Sequence, residues 1–282
     1  MKINFTLKML TALLFHNDED LVEDQIIYYG FKNKQDLIVF IHNSTDDTNN
    51  IVMKYKNRIK CIYYIPETFI FKYNQVHEVV YETLLGKRFD NVEMSDPNND
   101  NYSEIYDWIS FPESDEFLEG YNRRRHYYRH LYQLHKSKNI NKIAFRNFIY
   151  WFTEKDNMTI KSPVKRIRYY CLKKKSKPRI YAWRGNHTIK RFFGHKSDED
   201  LDDEIMIWNS RHYEVRSKKH LYEKSETRKD VSIGMINYHY NLLYEKLQND
   251  KTFGDIKSNQ LHYDNGSELN HTEIFDWKKH IY

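Results

Sequence analysis

Cysteine is scarce in this chain. Cys61 and Cys171 are the only two in 282 residues, far apart and without a C-x-x-C or histidine partner spacing. That excludes a disulfide framework or a cysteine-based zinc centre and points to structural thiols in a reducing compartment. Long apolar runs are also missing: none approaches the roughly eighteen residues that cross a bilayer, so no transmembrane segment is expected. The stretch "LKMLTALLF" near the start imitates a secretion signal, but no small-residue cleavage site follows it and "HNDEDLVED" comes at once. It reads instead as a buried first strand, and the cytoplasm is the expected location. Neither sign of charge dominates, with 45 basic against 40 acidic residues and a net charge of +5. Such a balance permits anionic ligands without demanding nucleic acid. There is no internal repeat and no flexible linker, which favours one domain of the size of a catalytic domain with a C-terminal appendage.

What is present is material for a folded core, 40% hydrophobic and 16% aromatic, and it is ordered. "MLTALLF", "DLIVFI" and "CIYYI" are short apolar runs without alternation, each followed by a helical pattern. Asn17 or Asp18 is placed to cap a helix over "EDLVEDQIIYY", which Gly30 should end. "NSTDDT" offers a capped start for a helix over "NNIVMKYKN". A third helix, "YNQVHEVVYETLLGKR", turns Val76, Val79, Val80 and Leu84 inward. Continuous apolar strands alternating with helices imply a mostly parallel sheet covered on both faces. In such sheets ligands bind beyond the carboxyl ends of the strands.

"NVEMSDPNNDNYSE" (91–104) is polar and predicts an exposed loop. After residue 120 the chain becomes basic and aromatic in "YNRRRHYYRHLYQLHKSKN" and "KSPVKRIRYYCLKKKSKPR", then "RIYAW" reads as a strand. The tail carries an amphipathic helix over "MINYHYNLLYEKLQ" and an irregular end.

The most telling segment is "WISFPESDEF" (108–117), an apolar strand running into Glu113, Asp115 and Glu116. Clustered carboxylates repel unless a cation or a proton intervenes. Two carboxylates at i and i+2 can share one hard cation, and magnesium or manganese suits an oxygen donor set. A solvated acidic turn, or acids opening a helix near Phe117, is the other reading of the same residues.

"YDWISFPESDEFLEG" (106–120) resembles the D-x-D-E-F segment of family 2-like glycosyltransferases with the GT-A fold, a Rossmann-like sheet flanked by helices. "LLFHNDEDLVEDQIIYY" and "IVFIHNSTDDTNNIV" are similar to that family's first two strand–helix units. Gln75 lies where the group often has Gln or Asn, and "RHYEVRSKKHLYEK" (211–224) resembles its HY-x-x-RS block. The blocks occur in the family's order over roughly residues 8–225.

The resemblance implies a GT-A catalytic domain over 1–225, with a nucleotide-sugar half (1–120) and an acceptor half (121–225), followed by a helical extension at 226–282. It implies a metal-dependent, inverting transferase of hexosyltransferase type that moves a sugar from a nucleotide-sugar donor, UDP favoured, to a glycan, protein or lipid hydroxyl. Mn2+ or Mg2+ would sit on Asp115, with Glu113 and His187 as further candidate ligands. Asn17, Asp18, Glu19, Ser44, Asp46, Gln75, Glu113, His212 and Arg216 would contact the donor. Asp202, Asp203 and Glu204 are candidates for the catalytic base, with Glu116 facing the acceptor or supporting the turn. Trp183, Trp208 and Tyr213 would suit sugar faces. Two departures stand out. Glu113 is one methylene longer than the family's aspartate, and Ile41–His42 replace an acidic residue that reads uracil. Two other readings compete: a nucleic-acid-binding protein or metal-dependent nuclease using the basic aromatic stretches, and a catalytically inactive relative serving as a scaffold.

Overall fold

The computed structural model describes residues 7–66, 73–95, 101–120, 127–136, 140–172, 178–186, 205–229, 245, 249 and 261–265. They fall into two compact units interleaved in sequence. One takes the stretches up to Arg146 together with Pro178–Ser210, and the other takes Asn147–Leu172 and Arg211 onward.

The first unit is mixed α/β, built on a central, largely parallel sheet. Strands β1 (Met9–Phe15), β2 (Asp36–His42), β3 (Ile59–Ile65) and β5 (Trp108–Ser110) form its parallel block in the order β5-β1-β2-β3. The block is extended by antiparallel β4 (Glu93–Met94) beside β3 and by β9 (Arg179–Arg184) beside β5. Helix α5 (Tyr127–His135) precedes β7 (Lys142–Trp151), whose first residues pair with β9, and β6 (Glu116–Glu119) pairs with β10 (Ile205–Val215).

Alternate residues of the central strands feed two cores, because successive side chains leave a strand on opposite faces. Leu13, Phe15, Val39 and Ile41 pack with Val22 and Ile26 of helix α1 (Val22–Ile26) and Val52 of α2 (Thr48–Lys54). Leu10, Ala12, Ile38 and Phe40 pack with Val76, Val79, Val80 and Leu84 of α3 (Tyr73–Leu84). The run "MLTALLF" is thus a central strand paired on both edges, as its lack of alternation predicts.

Three local expectations are corrected. Gly30 does not end the first helix: a π-helical segment, Ile27–Lys32, carries on through it. An added Cβ at Gly30 would lie 2.9 Å from Leu37 Cδ1, the end of a side chain. Neither early helix uses a side-chain cap at its N-cap residue, Leu21 or Asp47. Finally, part of the polar segment 91–104 is structured: Met94 pairs with Tyr63, and Tyr102 is buried in α4 (Tyr102–Ile105) with its hydroxyl 2.8 Å from that of Tyr63.

The second unit holds the last part of β7, then α6 (Pro163–Arg166) and β8 (Tyr169–Leu172). The end of β10, α7 (Lys218–Lys229) and β11 (His262–Tyr263) complete it. β8 lies antiparallel between β7 and β11. Within 226–282 the described residues therefore include a strand as well as the end of α7, while the predicted helix over "MINYHYNLLYEKLQ" lies outside them except for Glu245. Cys61 and Cys171 are buried thiols that form no disulfide. Among the described residues no helix is long and apolar enough to cross a membrane.

Candidate functional site

Strand order decides where a site can form. From β1 the chain moves to β2 and β3 on one side, and β5 then returns to the other side of β1. The loops after β1 and β5 consequently diverge at their carboxyl ends, the crevice where open α/β sheets bind ligands. The residues after β5 are those of the acidic turn.

That turn is pinned from two directions. Gln25 Nε2 of α1 donates to the carbonyls of Ser114 and Glu116 at 2.9 and 2.8 Å. Tyr29 of the π-helical segment donates its hydroxyl to the Glu116 carbonyl at 3.1 Å and accepts from the Leu118 amide at 2.8 Å. Tyr28 donates to the Leu118 carbonyl at 2.6 Å. Burial is the chief reason that the Tyr29 hydroxyl is held well above its ordinary pKa and stays protonated. The turn closes on itself through the Glu116 amide, which donates to the Glu113 carbonyl at 3.0 Å.

The carboxylates are arranged unequally. Asp115 is buried, and one of its carboxylate oxygens lies within 4.8 Å of one from Glu113. Glu113 Oε1 accepts from Arg179 Nη1 at 2.8 Å. Tyr181 donates its hydroxyl to Glu116 Oε1 at 3.0 Å and accepts from Arg179 Nη1 at 3.1 Å. Arg179 also stands 3.9 Å from the fully buried Glu116. Burial alone would lower the pKa of the guanidinium. Tyr181, Glu113 and Glu116 outweigh that effect and hold it above its ordinary value, so Arg179 is charged. Neither Arg179 nor Tyr181 is foreseen from the sequence. The i, i+2 spacing of "RIY" on one face of β9 is the only signal, and it is indistinguishable from ordinary strand alternation.

A second group forms where the loops after β1 and β2 meet. His16–Asn17 and His42–Asn43 repeat the same dipeptide after the two strands, and both asparagines adopt a left-handed backbone, with φ of 54° and 38°. Asparagine tolerates that conformation better than most residues. The Asn17 amide donates to Ser44 Oγ at 3.1 Å, and its side-chain oxygen accepts from the Thr45 amide at 2.7 Å. The Asp18 amide donates to Thr48 Oγ1 at 2.9 Å. The Glu19 amide donates to Asp46 Oδ2 at 3.0 Å, and Glu19 Oε2 accepts from the Asp47 amide at 3.1 Å. Asp46 Oδ1 also accepts from the Thr48 amide at 3.0 Å, satisfying a donor in the first turn of α2.

Asn17, Asp18, Glu19, Ser44 and Asp46 are therefore brought together, and these bonds bind one loop to the other. Asp46→Ala would remove two acceptors at once. It is expected to cost about 1–2 kcal/mol, as for a lost helix cap, with chemical denaturation as the measurement.

The other predicted positions lie on other elements. Gln75 is exposed on α3. His212 and Arg216 belong to the second unit. There His212 Nδ1 is 3.3 Å from Asn147 Nδ2, and Arg216 Nη2 is 2.7 Å from His220 Nε2. The Arg216 carbonyl accepts from Arg166 Nη2 at 2.8 Å. His187, Asp202, Asp203 and Glu204 lie outside the described residues, as do residues 121–126 and 173–177 of the basic stretches. Trp183, Trp208 and Tyr213 are at most 2% exposed and are core side chains, not platforms for a sugar.

A divalent cation is the group that the sequence resemblance implies for the acidic turn. The donor set fits it: two carboxylates with oxygens near one another, one of them buried, are hard ligands suited to Mg2+ or Mn2+.

No protein-family model matches the chain, and no curated protein sequence does. Solved structures do match. Residues 1–349 of S. aureus TarS align with a TM-score of 0.40 at 11% identity, covering 88% of this chain and 72% of that one. A longer TarS structure gives the same TM-score and identity, with 44% of its chain covered. Glucosyl-3-phosphoglycerate synthase from Mycobacterium tuberculosis, in complex with Mn2+, UDP and glucosyl-3-phosphoglycerate, aligns at 0.40 and 13% identity. That alignment covers 84% of this chain and 79% of that one.

Proposed function

We propose that the protein is a GT-A glycosyltransferase of hexosyltransferase type. It would take a sugar from a nucleotide-sugar donor, UDP favoured, and pass it with inversion to a glycan, protein or lipid hydroxyl in the cytoplasm. The observation that supports the reading best is the place of Asp115. The one segment whose sequence pattern suits a metal–diphosphate site follows β5, at the switch in strand order beside β1.

In this reading Asp115 holds Mn2+ or Mg2+, and the loops after β1 and β2 form one wall of the donor crevice. Bound there, a divalent ion would offset the negative charge of a nucleoside diphosphate leaving group. The pinned turn keeps the Asp115 carboxylate in place before the donor arrives, so little reorganisation remains for the moment of reaction. Glu116 supports the turn from within through Tyr181. The base that would take the acceptor proton is sought among Asp202, Asp203 and Glu204, and His187 remains a candidate ligand. His212 and Arg216 are proposed donor contacts.

The test is hydrolysis of UDP-, GDP- and dTDP-sugars with and without manganese, comparing wild type with Asp115→Asn. Manganese-dependent turnover that falls at least about a hundredfold in the variant is the expected result, because the variant would lose the charged ligand. If wild type and variant behave alike toward every donor, the reading fails, and the scaffold alternative takes its place.

A further inference from the structure

We propose that Arg179 is a substrate-binding residue that anchors Glu113 with one amino group and offers the rest of its guanidinium to the diphosphate of the nucleotide. The inference rests on the functional reading above and adds to it a contact from β9. Arg179 Nη1 donates to Glu113 Oε1 at 2.8 Å and to the Tyr181 hydroxyl at 3.1 Å. A guanidinium has five N–H donors, and Nη1 carries two of them. Among the described residues no hydrogen bond runs from Nε or Nη2. Those donors belong to a side chain that is 17% exposed. A donor so shielded costs free energy unless water or a ligand accepts from it.

The chemistry of that edge indicates the ligand. Nε and Nη2 direct their hydrogens in parallel, a fork that matches two oxygens of one phosphate. The opposite edge is fixed: Glu113 and Tyr181 hold Nη1, and Glu116 stands 3.9 Å from it. The fork is therefore set before a ligand arrives, so little side-chain entropy is lost on binding. Glu113 and Asp115 have carboxylate oxygens within 4.8 Å of one another, close enough to share one cation. A divalent ion there would offset those two carboxylates, while the guanidinium already faces Glu116. A diphosphate at the turn would then meet positive charge from both. The guanidinium is charged whether or not a cation is bound, because its neighbours hold its pKa above the ordinary value. It would thus share with the cation the charge that gathers on a diphosphate leaving group.

The experiment is calorimetry of the full-length protein at saturating manganese, comparing wild type with Arg179→Gln and Arg179→Lys. The ligands are UDP, GDP and dTDP, and the matching nucleosides are measured by displacement of the diphosphate. Manganese alone is also titrated into each protein. For the diphosphate that wild type binds, Arg179→Gln should weaken binding at least about tenfold, and change the nucleoside by less than about threefold. Arg179→Lys keeps the charge without the fork and should fall between the two. Manganese alone should bind no more weakly to either variant, since neither adds positive charge beside the carboxylates.

An unchanged diphosphate Kd in Arg179→Gln overturns the inference, as does a loss that the nucleoside shares equally. So does a matching loss for manganese alone, because Arg179 would then act through the carboxylates. If Arg179→Gln does not fold, Arg179→Lys decides by the same comparisons, with a loss of at least about threefold for the diphosphate over the nucleoside required. If wild type binds none of the three diphosphates with manganese, the functional reading itself fails and takes the inference with it.

Discussion

Gly185→Ala should lower the stability of the protein by about 3 kcal/mol, seen as a fall of roughly 6–12 °C in the melting midpoint. The residue follows β9, and its amide donates to the Asp107 carbonyl at 3.2 Å. An added Cβ would stand 1.9 Å from the Tyr106 carbonyl oxygen and 2.6 Å from that of Ser103. Both are backbone atoms, so no rotamer change relieves the overlap. Either the end of β9 must move away from β5, or the segment leading into β5 must move. Both movements disturb the strand that carries the acidic turn.

Gly30→Ala provides the contrast. There the nearest atom is the end of the Leu37 side chain at 2.9 Å, and alanine favours helical backbone. Its effect should stay under about 1 kcal/mol. Equal losses for the two variants would mean that the close approach at Gly185 is not what limits the site.

The second large effect is expected for Arg179→Met. Removing one member of a buried ion pair costs on the order of 3–5 kcal/mol, because the remaining charge stays in a poorly solvated place. Here two carboxylates lose the same guanidinium, which lies 2.8 Å from Glu113 and 3.9 Å from Glu116. The small residual exposure of Arg179 and Glu113 places the expected loss near the lower end, about 3 kcal/mol, measured by urea denaturation. Tyr181→Phe should cost about 1–2 kcal/mol, since it removes a single hydroxyl from the network and leaves the ion pair standing. A cost below 1 kcal/mol for Arg179→Met would show that the carboxylates keep their solvation without it.

Much of the first unit is legible along the chain because its elements bury continuous apolar runs. β1 coincides with "MLTALLF", β2 and β3 contain "DLIVFI" and "CIYYI", and α3 turns the predicted valines and Leu84 inward. These are local periodicities that any packing partner reads in the same way. Helix ends were less legible. The expected caps are not used: the Asp18 carboxylate accepts from the His16 amide within its own loop, Asn17 and Ser44 bond each other's loop, and it is Asp46 that accepts from the Thr48 amide in the first turn of α2. The polar segment before β5 hides an edge strand, because Glu93–Met94 owes its pairing to β3 and not to its own composition.

The candidate site divides along the same line. The sequence by itself determined that carboxylates gather at the end of an apolar strand, and that two further strands end in polar, capping-rich loops. Those are properties of neighbouring residues. Which side chain partners Glu113 was decided only by the tertiary structure, because the guanidinium that donates to it lies 66 residues away on a strand of ordinary appearance. The order β5-β1-β2-β3 likewise comes from long-range pairing, and it alone sets the acidic turn beside the loop after β1. Charge pairing and strand order both depend on distance in space. A linear pattern records distance only along the chain.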